Sequence, residues 1–336
     1  MSQPKASPKL GCVRFPQNTR QHLRRAVVVL LTLALNLVPA PVAAQAPIRV
    51  DVDLVLVEAT VKNKAGGVLG ELKKDDFLLY EDGAQQQVAH FSRDQLPLAV
   101  ALVVDLSGSI QPFLRPLRYA TLTALKTLKP EDQVALITFA SEPELRVELT
   151  RDKLEVSDQI EFFSAEGSTN INDAVHEAAR YLQDEAPAAR RVVVLISDNV
   201  PTNPGHVAHK QVVEAALAAD SAVYSLKVPG RNPQRFMLGI QVGTRGAVNV
   251  KKLTEETGGE IFDVEKEGSL FVAFQSLIER LKTRYTLGYY HTNKALDGKF
   301  RSLDVKLLPA RGRKGSDYTV LAKRGYYARR TRVSNP

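Results

Sequence analysis

The chain has 336 residues, 44% of them hydrophobic and 24% charged, which suits one or two globular domains and excludes disordered or collagen-like chains. Its 45 Lys and Arg exceed its 37 Asp and Glu by a formal +8, a balance that on its face points to nucleic acid or an anionic membrane. Six of those cations, Lys5, Lys9, Arg14, Arg20, Arg24 and Arg25, lie within residues 1–44, which hold no acid; the rest carries 39 cations against 37 acids, and nucleic-acid binding loses its support.

The N-terminal order is basic (Arg24-Arg25), then apolar (AVVVLLTLALNLV), then small (PAPVAAQAP), which is the order of a secretory signal peptide. Val42 and Ala44 suit cleavage after Ala44. The apolar block is shorter than the roughly 20 residues of a spanning helix, and Pro39 and Pro41 interrupt its end, so an uncleaved anchor is the weaker alternative. The expectation is an exported protein, periplasmic or extracellular, with residues 1–44 a signal peptide and no integral membrane span after cleavage. The single cysteine, Cys12, precedes the apolar block, so the mature chain would have no disulfide, catalytic thiol or cysteine-ligated metal.

Residues 45–96 read as an N-terminal β segment. IRVDVDLVLVEATVKNKAGG alternates apolar and polar residues, and FLLYEDGAQQQVAHF reads as two strands around an Asp82-Gly83 hairpin turn. Residues 97–282 change character. LAVALVVD, QVALITFA, RRVVVLIS and SAVYSLKV are continuous apolar runs, the signature of strands buried on both faces of a parallel sheet. FLRPLRYATLTALKTL, NINDAVHEAARYLQDEA, HVAHKQVVEAALAAD, VKKLTEET and LFVAFQSLIERLK read as helices between and after them, and ELRVELT as an antiparallel edge strand. This alternation predicts an α/β fold with a doubly wound, mostly parallel sheet. Residues 283–330 return to strand composition, with turns at Asp297-Gly298 and Lys314-Gly315; 331–336 form a tail. Either flank alone would leave an apolar face in water, so the two are expected to pack into one small β domain.

In open α/β sheets, ligands bind at the carboxyl ends of the strands. Three loops there carry oxygen donors: Asp105-Leu106-Ser107-Gly108-Ser109, Gly167-Ser168-Thr169-Asn170 and Ser197-Asp198. Such hard oxygens suit Mg²⁺, Mn²⁺ or Ca²⁺. These residues resemble the von Willebrand factor A-type domain and its metal-ion-dependent adhesion site. Asp105, Ser107 and Ser109 match the family's Asp-x-Ser-x-Ser, Thr169 its threonine before a helix, and Asp198 its later aspartate; Asn199 stands where the family usually has glycine. The flanks, FLLYEDGAQQQVAHF, RYTLGYYHTN, FRSLDVKLLPA and KRGYYAR, are similar to those of exported bacterial relatives of that family.

The resemblance implies a Rossmann-like fold and a metal site at Asp105, Ser107, Ser109, Thr169 and Asp198, holding Mg²⁺ with Mn²⁺ or Ca²⁺ as alternatives. It also implies a protein partner whose Asp or Glu completes the coordination. The expected function is therefore a cation-dependent adhesion or interaction module. The alternatives are a cell-envelope structural factor whose metal is purely structural, and a metal-assisted hydrolase. Nothing argues for an enzyme: Ser107 and Ser109 lie in no Gly-x-Ser-x-Gly elbow, and no phosphate or dinucleotide loop is present. Asn170 and Asp173 are expected to cap the following helix. His206 and His209 read as solvent-facing helix residues and not zinc ligands, Asp75-Asp76 as a solvated turn, and Lys323-Arg324 with Arg329, Arg330 and Arg332 as a solvated terminal strand. Tyr285, Tyr289, Tyr290, Tyr326 and Tyr327 read as β core and cross-strand pairs. The sequence does not specify the oligomeric state.

Overall fold

After residue 53, the alternating valine-rich stretch forms β1 (Leu54–Asn63), whose Val57, Ala59 and Val61 are fully buried. The computed structural model describes residues 54–93, 96–160, 163, 167–230, 246–267, 269–308 and 317–328. The signal-peptide reading, the Lys314-Gly315 turn and the basic tail from Arg329 onward lie outside the described residues. β2 (Phe77–Glu81) and β3 (Ala84–Gln86) form a hairpin. Asp82 and Gly83 both have positive φ, 48° and 81°, the turn geometry that matches strand twist. β4 (Val88–Arg93) then leads into β5 (Leu98–Asp105), which is buried at all eight positions.

From β5 the chain builds a layered α/β unit. Its strands are β6 (Gln133–Phe139), β7 (Pro143–Thr150), β8 (Arg190–Ser197), β9 (Ser221–Lys227) and β10 (Ile261–Asp263). Its helices are α1 (Leu114–Leu125), α2 (Lys153–Gln159), α3 (Ile171–Glu185), α4 (His209–Ala218), α5 (Val250–Thr257), α6 (Val264–Glu267) and α7 (Leu270–Lys282). The sheet order is β10-β9-β8-β5-β6-β7, parallel except for the β6–β7 pair. Along β5 the side chains alternate between two cores. Leu98, Val100, Leu102 and Val104 pack with Leu117 of α1 and Phe274 and Leu277 of α7. Ala99, Ala101 and Val103 pack with Val175 and Ala178 of α3 and Val212 of α4.

Two helices, α2 and α6, have no counterpart in the sequence reading: at seven and four residues they are too short for a visible 3.6-residue period. The start of α2 is written locally, because Asp152 accepts the Leu154 and Glu155 amides. α5 ends at Gly258 with φ 79°, where a Cβ would fall 2.5 Å from the Lys323 nitrogen. Only glycine meets both the left-handed cap and this close approach.

The remaining strands are β11 (Tyr285–Tyr290), β12 (Phe300–Leu307), β13 (Tyr318–Ala322) and β14 (Gly325–Tyr327). DYTVLAKRGYYAR thus forms two short strands broken at Lys323-Arg324. Strands from both flanks make two four-stranded sheets, β13-β1-β11-β4 and β14-β12-β2-β3. They enclose a core of Val57, Phe77, Leu79, Tyr285, Leu287 and Val305. Across it, the hydroxyls of Tyr289 (2.5 Å) and Tyr326 (2.8 Å) both donate to Oε2 of Glu81, which is 3% exposed. Burial and the adjacent Glu81 carboxylate hold both phenols protonated, far above the ordinary tyrosine range.

Tyr289→Phe should destabilise the protein by about 1–3 kcal/mol, since it strips a donor from a buried carboxylate. Tyr326→Phe, at a half-buried position, should cost less. Urea melts of the two variants beside wild type measure the order.

Candidate metal centre

Because β5 pairs in parallel with both β6 and β8, the carboxyl ends of the three strands lie side by side. Asp105 is the last residue of β5 and is completely buried. Ser197 Oγ, at the end of β8, donates to Asp105 Oδ2 at 2.6 Å, and the Ser107 amide donates to Oδ1 at 2.7 Å. The Ser107 and Ser109 hydroxyls stand 3.0 Å apart. Burial pushes the Asp105 carboxyl up to about 6; the bonds from Ser197 and Ser107 oppose this, and the Asp198 charge adds to it. A carboxylate in such surroundings favours a nearby cation.

Asp198 follows β8 directly, and its Oδ1 accepts the Val200 amide at 3.0 Å. The chain after β9 passes close by: a Cβ on Gly230 would stand 3.1 Å from Asp198 Oδ2. Asn199 has φ 61°, a left-handed conformation that asparagine tolerates better than most residues. Its side-chain amide also meets Ser225 Oγ at 2.8 Å (Nδ2) and 3.0 Å (Oδ1). Asparagine at this position therefore keeps the turn and gains a tether to β9.

Thr169 is held between the loops that follow β6 and β8, the two neighbours of β5. Its amide donates to Thr202 Oγ1 at 2.8 Å, and its carbonyl accepts the Thr202 and Asn203 amides at 3.1 Å. The next amide, Asn170, donates to the Ala140 carbonyl at 2.9 Å. Asn170 caps α3 as expected, accepting the Asp173 amide at 3.1 Å.

Asp173 does not cap. It reaches across to the turn before α4 and accepts the His206 amide (2.9 Å) and Val207 amide (3.0 Å), together with Asn170 Nδ2 (2.9 Å). The approach depends on Gly205, with φ 67°, where a Cβ would fall 2.3 Å from Asn170 Oδ1. Burial pushes the Asp173 carboxyl up, but bonds from Asn170, His206 and Val207 outweigh it and hold the carboxyl below its ordinary range.

His206 faces solvent as expected, but it lies before α4 and not within it, with its ring against Asp173 at 2.9 Å. His209 begins α4, and both of its ring nitrogens are shielded from solvent. Among the described residues no cluster of three or more His, Cys, Asp or Glu is arranged for a metal. Tyr285 and Tyr289 are core residues, whereas Tyr290 and Tyr327 are 50% and 37% exposed.

The sequence reading missed the role of Ser197. Its hydroxyl supports the buried Asp105, and the only sequence signal is its place at the end of a buried run, one residue before Asp198. The donors at the strand ends comprise two carboxylates and three hydroxyls, all hard oxygens, and they fit a small divalent cation.

Residues 100–200 match the family described as the von Willebrand factor type A domain. A curated relative, the inter-alpha-trypsin inhibitor heavy chain H4 of Bos taurus, is 33% identical over 130 residues, covering 34% of this chain and 14% of that protein. The chain thus spans about one seventh of that relative's length. Among solved structures, an aerotolerance-related membrane protein from Bacteroides fragilis aligns at 17% identity and TM-score 0.43, over 55% of this chain and 98% of that one. A von Willebrand factor type A protein from Catenulispora acidiphila aligns at 10% identity and TM-score 0.45, over 77% of this chain and 74% of that one.

Asn199→Ala should destabilise by about 1–2 kcal/mol, the cost of a left-handed alanine, and Asn199→Gly by less; thermal melts compare them. Because the Asp173 carboxyl is held below 3.8 when folded, its contribution is present above that pH and fades as pH falls further. The stability gap between wild type and Asp173→Asn should therefore be widest above pH 4 and close below it, read from urea melts across pH.

Proposed function

We propose that this chain, whose residues 100–200 belong to the von Willebrand factor type A domains, is a divalent-cation-dependent protein-binding module that works outside the cytoplasm. The cation, Mg²⁺ by preference, would be held by Asp105, Ser107, Ser109, Thr169 and Asp198. The observation that carries this reading is the buried Asp105 carboxylate at the end of β5, with the Ser107 and Ser109 hydroxyls paired in the loop that follows it and the Asp198 charge near enough to push its carboxyl up.

The donor chemistry supports binding by an acidic partner. Two carboxylates and three neutral hydroxyls leave a divalent ion incompletely neutralised, and an octahedral ion with one open position accepts a carboxylate from outside. An Asp or Glu side chain of a partner protein is a suitable donor. Export rests on the signal-like order of residues 1–44. No helix among the described residues is long and apolar enough to cross a membrane.

Isothermal titration of Mg²⁺ and Mn²⁺ into chelator-stripped protein should show one saturable site, lost in Asp105→Ala and in Asp198→Ala while both variants keep wild-type circular dichroism. Capture of an acidic partner should then require the cation and reverse on chelation. A folded wild type that binds neither ion ends the proposal. Cation binding that raises the melting temperature without any cation-dependent partner favours the structural-metal alternative.

A further inference from the structure

A second candidate site lies away from the strand ends. A cleft of about 480 Å³ opens where α4 and α5 meet β12 and β14. Val213, Leu217, Phe300 and Tyr327 supply its apolar surface. The Phe300 and Tyr327 rings meet edge to face with centroids 5.3 Å apart, yet they are 43% and 37% exposed. Two exposed aromatics locked against each other beside a concave surface form a rigid apolar platform.

The polar groups of the cleft are mixed and unequally engaged. Lys252 pairs with Glu256 at 3.6 Å, and Lys210 with Glu214 at 3.5 Å. The Tyr327 hydroxyl also donates to Glu214. Arg324 lines the cleft, and among the described residues its guanidinium has no carboxylate partner; only its backbone is bonded, to Leu303 and Glu256. Glu255 lies on the same rim, and among the described residues its carboxylate has no hydrogen bond or ion pair. His209 lines the cleft too, and neither ring nitrogen has a hydrogen-bond partner although both are shielded from solvent. Burial lowers its proton affinity, which keeps the imidazole neutral with one N–H to donate.

We propose that this cleft binds a small organic anion with an apolar body, whose aromatic or aliphatic part lies on Phe300 and Tyr327 and whose carboxylate pairs with Arg324. A guanidinium holds a carboxylate through a two-pronged, charge-assisted pair, and the apolar platform selects against small hydrophilic anions. The volume lies in the range of ordinary small-molecule sites. Glu255 opposes the ligand's charge, so its removal strengthens binding. That sign separates a specific anion site from general adhesion to an apolar surface.

The test titrates the full chain with 2-naphthaleneacetate and with its neutral amide, in buffer containing EDTA so that the outcome is independent of any cation. The acid should bind saturably and at least about tenfold more tightly than the amide, a difference of about 1.4 kcal/mol. Arg324→Gln should reduce the acid to the affinity of the amide, and Glu255→Gln should tighten the acid; both positions are exposed, and thermal melts verify that the variants fold. No saturable binding of the acid, equal affinity for acid and amide, or an Arg324→Gln variant that binds as wild type would each overturn the proposal.

Discussion

β5 has no position open to solvent, and this constraint organises the molecule. A strand covered on both faces and paired on both edges must end in a loop, and that loop begins inside the protein. Asp105 stands at this point. Its carboxylate has lost nearly all its water, and its compensation comes from Ser197 Oγ and the Ser107 amide. The adjoining strand ends then fix what surrounds it. β8 contributes Ser197 and Asp198, and the loops after β6 and β8 together secure Thr169. The surroundings of Asp105 are thus a consequence of sheet order: at an edge of the sheet, β5 would leave this carboxylate in water.

The α/β unit and the two β sheets are joined by charge as well as by apolar packing. Glu58 of β1 meets Arg284 at 2.9 Å and Arg190 at 3.7 Å, and Glu260 meets Lys62 and, at 3.1 Å, Arg280. Arg190 and Arg284 are almost fully buried, so these pairs carry a desolvation cost that surface ion pairs do not. Arg190, Arg280 and Arg284 also donate to the carbonyls of Leu281, Gly66 and Gly258. They therefore fix the end of α7, the turn after β1 and the cap of α5 in one arrangement. Removing one partner would strand its counterpart in the interior, which makes the seam a strong determinant of geometry whatever its net contribution to stability.

The parts of the fold legible in the sequence are those whose pattern is local and complete. The continuous apolar runs at 98–105 and 190–197 can be only buried strands or buried helices, and their length and valine content decide for strands. The Asp82-Gly83 turn and the Gly258 stop are equally local, because each needs a positive φ. The donor loops were legible as motifs, but the support beneath them was not. Ser197 looks like any strand-end serine until β8 is placed beside β5. Asp173 shows how a correct local rule loses: it occupies the first turn of a helix where carboxylates cap, yet the Gly205 turn approaches so closely that two of its backbone amides, with the side-chain amide of Asn170, claim it. His209 is similar, since nothing in its surroundings along the chain shows that β12 and β14 will stand opposite α4.

The position of the α/β unit within the chain follows from one pairing. β4, which leads into β5, is antiparallel to β11, which leaves α7, and Arg93 stands opposite Tyr285. The unit therefore enters and exits through neighbouring strands, as an insertion into the two β sheets would. Closing a flexible loop costs entropy that grows only with the logarithm of its length, and a segment that folds on its own core shortens the effective loop to the gap between its ends. Here that gap is one strand spacing. The β strands on either side of the unit can therefore share sheets although they lie far apart in sequence. It also means that β5, which carries Asp105, and α7, which lines one face of the same sheet, are both fastened to the sheets at adjacent points. A displacement of one relative to the other would have to break the β4–β11 pairing or the Glu58 and Glu260 seam, so the geometry around Asp105 is held from both ends of the unit.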